Sequence, residues 1–430
     1  MKVAIVGYGI EGQESYRYYK NLGHDVVIVD ENTKDDLPEG LSFIIGEDAF
    51  DKLQDFDLII RSPSIRPDRI NTKGKIWSAT NEFFEKCPAK IIGVTGTKGK
   101  GTTCSFIASI LRTAGRKVHL VGNIGTPALK TLPNISSDDY VVYELSSFQL
   151  WDLQKSPHIA VVLPIEPDHQ DVHISIDEYI NAKGNISKNQ TADDFVIYYP
   201  TNEASNFIAT RSNGIKKKYS FKNDGVYVNN GNFYLDNKII CSTNAMKLAG
   251  SFNLDNACAA ISACLIVDSS VSKYIEAGLE SFDGLPHRLK LVRTVNGIRY
   301  FDNSIATTPG SSIASIKEFA NDDLTVILGG SDKGTDYSEL VHLCKAQNVK
   351  VVAIGYTGEE IAKLCKNMEV DFVRERGDMN HVIDVANRIT PDGGVVLLSP
   401  ASASFDQYSS YSDRGDKYIE IVNKIKQKSS

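Results

Sequence analysis

The chain has 430 residues, 42% of them hydrophobic and 23% charged, with a formal charge of −7 at pH 7. That length predicts two or three soluble domains, and the acidic balance argues against a nucleic-acid surface. Seven scattered cysteines without a C-x-x-C pair argue for reduced thiols in a cytoplasm and against zinc, and no apolar run nears the ~20 residues that span a bilayer, so no membrane partner is expected.

Residues 3–6, VAIV, read as a buried strand running into 7-GYGIEG-12 and a helix to about Leu22. The start, MKVAIVGYG, is a strand and not a signal peptide. A second strand, 26-VVIVD-30, ends in Asp30, about 20 residues after the glycine turn; this is the outline of a dinucleotide fingerprint. Alone it would suggest a nicotinamide or flavin oxidoreductase. The next strand, 57-DLIIRSP-63, follows too short a gap for a regular second nucleotide half. Residues 1–89 therefore read as a small Rossmann-like domain that holds a nucleotide diphosphate group.

A second α/β domain, residues 90–284, opens on 91-IIGVTGTKGKGTTCSFIASIL-111. Strand, glycine-broken loop and helix in that order aim backbone N–H groups and a helix N-terminus at one point, which binds phosphate. The loop spans Gly96, Thr97, Lys98, Gly99, Lys100 and Gly101, and Lys100 is placed to reach the β- and γ-phosphates. Gly101 stands where G-x-x-x-x-G-K-[ST] has its hydroxyl, so the magnesium-binding hydroxyl passes to Thr102 or Thr103.

Further parallel strands are expected at 118–122, 140–146 and 159–165, all continuous apolar runs. Polar groups follow each: Asn123, then Glu144, then Glu166, Asp168 and His169, with Asp171 close behind. Ligands bind at the carboxyl ends of such strands, so these groups and the phosphate loop define one site. Glu144 reads either as a magnesium ligand or as a carboxylate capping the helix that Ser146 and Ser147 open. His169 reads as part of a metal site or as a surface histidine paired with an acid. Lys183, in 177-DEYINAKGNI-186, reads from residues alone as a solvated helix lysine.

Residues 195–241 read as an antiparallel appendage with strands at 216–221, 226–230 and 233–240, separated by Asn-Gly and Asp-Gly turns. A helix is expected from about Asn253, and 284-GLPHRLK-290 looks like a hinge. Residues 285–430 form a third βαβ-patterned domain, with strands at 298–303, 324–330, 349–355 and 394–400. There 328-LGGSDKG-334 and 399-SPASASFDQYSSYSDRG-415 follow strand ends, and the second run could recognise a small carboxylate.

Together GYGIEG, TGTKGK, GNIG, ELSSFQL, DHQD, NAKGN, SFNLDN, PHR, DNSIATT, LGGSDKG and SPASASFDQY resemble the Mur ligase family, ATP-dependent amide-forming enzymes of peptidoglycan precursor synthesis, and most nearly its D-glutamate-adding members. The resemblance covers nearly the whole chain. It implies three α/β domains: an N-terminal Rossmann-like domain for a UDP-linked substrate, a central P-loop ATPase-type parallel sheet with a small antiparallel appendage, and a C-terminal Rossmann-like domain carrying the amino-acid site. It implies ATP, two magnesium sites and potassium as a candidate third ion. The implied substrates are UDP-N-acetylmuramoyl-L-alanine and D-glutamate, and the implied enzyme is a cytoplasmic monomer.

Roles follow by position. Lys100 contacts the ATP phosphates; Glu144 and His169 place magnesium with Thr102; Lys183 matches a family lysine that is carbamylated and metal-directed, which reverses the solvated reading. Gly96 to Thr103, with Asn256, Arg288 and Asp302, fall around ATP. Gly9, Ile10, Glu11, Asp30, Ser62 and Asn123 fall around the UDP-linked substrate. Lys333, Ser404 and Tyr411 match the D-glutamate pocket. Ile305 stands where the best-known pattern has a lysine, and Gly101 makes the loop more like that of folylpolyglutamate synthases. A folylpolyglutamate synthase-like enzyme or another cell-wall amino-acid ligase is therefore the alternative.

Overall fold

The computed structural model describes residues 1–32, 41–170, 172–222, 224–248, 250–331 and 334–427, so Asp171 and Lys333 lie outside the described residues. The chain divides into two compact units, Met1–Phe282 and Asp283–Ser430.

The first unit holds two parallel sheets. In one, β1 (Lys2–Val6), β2 (Asp25–Asp30), β3 (Ser42–Ile45), β4 (Leu58–Arg61) and β5 (Lys75–Ser78) lie in the order β3-β2-β1-β4-β5. The sequence reading lacked β3 and β5. Both are four-residue edge strands with exposed positions, so neither shows a continuous apolar run.

In the central sheet, β6 (Lys90–Thr95), β7 (Val118–Gly122), β8 (Tyr140–Glu144), β9 (Ile159–Val162), β10 (Phe195–Tyr198) and β11 (Ile215–Lys218) lie in the order β11-β10-β9-β6-β8-β7, all parallel. Side chains alternate between faces, and both faces are buried. Ile92, Val94, Val142, Ile159 and Val161 pack under the helix Ser251–Val267, while Ile91, Val141, Tyr143, Ala160 and Val162 pack against Phe83 and Phe84. Apolar residues at both parities produce the continuous runs seen in the sequence.

The antiparallel appendage is β12 (Tyr227–Asn229), β13 (Asn232–Leu235) and β14 (Lys238–Ser242). Two expectations are corrected here. Residues 195–198 and 215–218 do not belong to the appendage; they form β10 and β11, parallel strands of the central sheet with β11 at its edge. The β11 lysines suit an edge, where charge keeps other strands away. The expected strand at 233–240 is two strands, because Asp236 and Asn237 take left-handed backbone (φ 50 and 61) and reverse the chain.

The second unit carries one sheet: β15 (Lys290–Val295), β16 (Ile298–Asp302), β17 (Leu324–Gly329), β18 (Lys350–Ile354), β19 (Phe372–Arg374) and β20 (Val395–Leu398), ordered β15-β16-β20-β17-β18-β19. Only β15 is antiparallel, joined to β16 through Asn296 and Gly297 at positive φ. Among the described residues no helix is long and apolar enough to cross a membrane.

Candidate active site

The site begins where β6 ends. Gly99 takes left-handed backbone (φ 85) and caps the helix Lys100–Thr113 at its N-terminus. A Cβ at position 99 would stand 2.3 Å from Oδ1 of Asn256, so the loop lies directly against that asparagine. Both the φ and the contact require glycine. Gly99→Ala is accordingly expected to weaken ATP-analogue binding at least about tenfold, by calorimetry, with the full chain still folded; unchanged affinity would contradict this close packing.

Lys100 donates from Nζ to the carbonyls of Thr97 (3.0 Å) and Gly96 (3.2 Å), folding back over its own loop. The Thr97 hydroxyl donates to the Glu166 carbonyl, accepts from the Glu166 N–H at 2.9 Å and lies 3.1 Å from the Tyr179 hydroxyl. The loop is thus stitched to the end of β9 and to the helix Ile176–Lys188. Lys98 is largely exposed, 4.0 Å from Glu166. Thr102 is 5% exposed; Thr103 is fully buried, and its hydroxyl has no hydrogen-bond partner among the described residues.

Lys183 corrects the residue-only reading. It is 1% exposed, donates 2.9 Å to the Gly96 carbonyl, and holds its ammonium 4.6 Å from the Tyr179 ring centre. Burial drives its pKa well below the ordinary lysine value and the Lys100 charge adds to this, while Asp168 and Glu144 pull the other way. Lys183 thus feels the charges of Lys100, Asp168 and Glu144 from its place against the phosphate loop. His169 sits at its edge, half-exposed, with φ 52, its ring packed on Phe148 and its Nε2 3.7 Å from Asp168. Asn123 is exposed after β7, its N–H reaching the Glu144 carbonyl at 3.3 Å. Among the described residues no three His, Cys, Asp or Glu side chains cluster as a metal-binding group. Glu144, with Lys183 once carbamylated, would offer hard oxygen donors of the kind that suit magnesium.

A second cluster lies at the carboxyl ends of β1, β2 and β4. Ser62 donates to the Gly7 carbonyl (2.7 Å), and Asp30 accepts from the N–H of Tyr8 (2.9 Å) and of Asn32 (3.1 Å). Gly9 caps the helix Ile10–Asn21 and Ile10 is exposed. Glu11 reaches the central sheet: Gln149 donates to it at 2.6 Å, and burial raises its pKa against that bond and the Arg61 charge.

Sequence reasoning assigned no role to Arg61, Gln149 or Tyr179. Arg61 is fully buried, paired through two nitrogens with Asp152 (2.8 and 3.0 Å), and it also donates to the carbonyls of Phe148 and Ile65. The signal for it was an arginine at the end of an apolar strand, where a cation requires a partner.

In the second unit, Asp302 is completely buried. One oxygen lies 2.7 Å from His287 Nδ1 and the other accepts from the Ser304 N–H. Ser404 is buried and Tyr411 is 40% exposed. Arg414, 1% exposed, is held by Ser304 and by the carbonyls of Ser402 and Ala403, and burial lowers its pKa to about 10. Asn256 belongs to the first unit, while Arg288, Asp302, Ser404 and Tyr411 belong to the second.

Comparison with known proteins agrees with this layout. The Mur ligase middle domain matches residues 94–264, and the Mur ligase glutamate ligase domain matches residues 287–402. The chain is 33% identical over 446 residues to the UDP-N-acetylmuramoylalanine–D-glutamate ligase of Clostridium tetani, covering 99% of this chain and 97% of that one. It is 33% identical over 444 residues to the ligase of the same name from Clostridium kluyveri, covering 98% and 96%. The structure resembles UDP-N-acetylmuramate-alanine ligase MurC from Thermotoga maritima, with TM-score 0.62 at 19% identity over 98% and 99% of the two chains, a likeness of fold. The two domain matches and the end-to-end relatives converge on one conclusion: this chain belongs to the Mur ligase family.

Proposed function

We infer that the chain is an ATP-dependent ligase that joins D-glutamate to UDP-N-acetylmuramoyl-L-alanine in cytoplasmic peptidoglycan precursor synthesis, acting as a monomer. One observation carries the reaction class: a buried lysine of depressed basicity donates to the Gly96 carbonyl of the phosphate loop. The substrates follow from the names of the full-length relatives. In this reading residues 1–89 take the UDP-linked substrate, 90–284 take ATP, and 285–430 take the amino acid.

The γ-phosphoryl of ATP passes to the alanyl carboxylate, giving an acyl phosphate and ADP. The D-glutamate amine attacks the acyl carbon, phosphate leaves with the C–O electron pair, and the amine gives up a proton as the amide forms. Lys100 and the loop N–H groups from Gly96 to Thr103 hold the phosphates and spread their charge, with Asn256 against that loop, and Arg288 and Asp302 are the ATP contacts assigned to the second unit. A neutral Lys183 amine can add carbon dioxide and release a proton, leaving an anionic carbamate in place of the amine. Magnesium, held by Thr102, Glu144, His169 and carbamylated Lys183, would supply further neutralisation of phosphate charge; potassium is a candidate third ion. Gly9, Ile10, Glu11, Asp30, Ser62 and Asn123 orient the UDP-linked substrate, and Lys333, Ser404 and Tyr411 orient D-glutamate.

The test is phosphate release from ATP and UDP-N-acetylmuramoyl-L-alanine with a panel of amino acids. Release is expected with D-glutamate and not without it. Release with another amino acid alone would replace the substrate assignment. Gly101 is the one feature favouring a folylpolyglutamate synthase-like reading, so the panel includes a folate with L-glutamate.

A further inference from the structure

His169 takes left-handed backbone (φ 52), a sparsely populated region for a residue with a side chain. Such conformations persist only where their surroundings over-determine them. Here the surroundings run through one residue, His173. The His169 carbonyl accepts from the N–H groups of Val172 (3.1 Å) and His173 (2.9 Å), so the chain closes back on itself. His173 is 2% exposed, with Nε2 3.0 Å from the Ser147 hydroxyl. Its Nδ1 stands 3.7 Å from Glu178 and has no hydrogen-bond partner among the described residues. The ring lies flat on Phe148, with centres 5.4 Å and planes 8° apart. It also packs on Trp151 at 4.6 Å and edge-on against Tyr179 at 5.2 Å. Phe148 in turn meets the His169 ring edge-on at 4.9 Å. The exit of the turn is tied down separately: the Ile174 N–H donates to Glu178 (2.6 Å), and Arg66 donates to the Val172 carbonyl (2.7 Å) and to Glu178 (2.9 Å).

His173 thus reaches His169 by two routes. Its N–H holds the His169 carbonyl, and its ring backs the phenyl group on which the His169 ring packs. Three aromatic neighbours against a single hydrogen bond make the flat ring, and not its nitrogens, the main anchor. We propose that His173 is the positioning residue for His169, fixing both its backbone and its imidazole while staying buried itself. This rests on the reading of His169 as a group of the reaction centre.

The test uses the full chain and two readouts. Hydrogen exchange of the ligand-free protein, followed by mass spectrometry on the peptide 169–174, reports the Val172 and His173 amides. His173→Ala is expected to speed their exchange about tenfold or more, and His173→Phe, which keeps a ring, to leave it near the parental rate. In the phosphate-release assay His173→Ala is expected to lower kcat about 10- to 100-fold, the scale on which small misplacements act, and His173→Phe to recover most of it. In a His169→Ala background, adding His173→Ala is expected to cost less than about twofold more. A merely structural role, such as one passed through Tyr179 to Thr97 and Lys183, would repeat the full loss in that background. That result overturns the proposal, as does parental kcat or parental exchange in His173→Ala. If His173→Ala does not fold, His173→Leu, which refills the volume without a flat ring, is judged by the same criteria. Parental kcat in His169→Ala would instead overturn the reading of His169, and the inference with it.

Discussion

Lys183→Ala is expected to lower kcat by about 10³-fold, and short carboxylic acids such as acetate are expected to restore part of it, in a phosphate-release assay. The physical basis is the position of the amine. At 1% exposure, beside Lys100, the charged form is penalised first by burial and then by like-charge repulsion, so its proton comes off well below the usual lysine range. The shift favours the neutral amine that a carbamate forms from, and an added carboxylate reproduces the oxygens that the alanine variant lacks. Full activity in Lys183→Ala would refute the carbamate role. Activity lost without rescue would leave a structural role for the amine at the Gly96 carbonyl.

Arg61→Met is expected to destabilise the first unit by about 3 kcal/mol, the lower end of what breaking a buried ion pair costs. Urea unfolding measures it. The lower end applies because the Asp152 side chain keeps 22% of its surface exposed and regains some hydration. The carbonyls of Phe148 and Ile65 lose their donor too, which keeps the loss from falling below that range. Arg61→Lys is expected to recover little, since an ammonium cannot reproduce the two-nitrogen grip on Asp152. Removing both partners, as Arg61→Met with Asp152→Asn, should cost less than Arg61→Met alone. A loss below about 1 kcal/mol for Arg61→Met would show that this pair does not hold the two sheets of the first unit together.

The phosphate loop, Glu144 and the strand ends around them were legible because their signals are local. A buried parallel strand is apolar at every position, and the glycine-lysine loop follows it directly. The environment of Lys183 was not legible from spacing, because a helix lysine is buried or solvated according to what packs on that helix, and that is a tertiary fact. The parallel pairing of β11 was hidden for a related reason: IKKK has no apolar stripe, and its partner β10 comes before an intervening helix. Arg61 shows the converse case. It stood in plain view after LII, yet its partner Asp152 is 91 residues away, and no local pattern links them.

Ser146 and Gln149 form a capping box at the start of the helix Ser147–Leu150, and this has a consequence for how the first unit is wired. The Gln149 carbonyl oxygen is taken by the N–H and hydroxyl of Ser146, so its amide cannot flip, and only the NH₂ end is left to face Glu11. A symmetric-looking side chain is thereby given a polarity, set two residues beyond the strand that ends in Glu144. Gln149 works as a one-way connector: it offers donors, never acceptors, to the Glu11 carboxyl across the boundary between the two sheets.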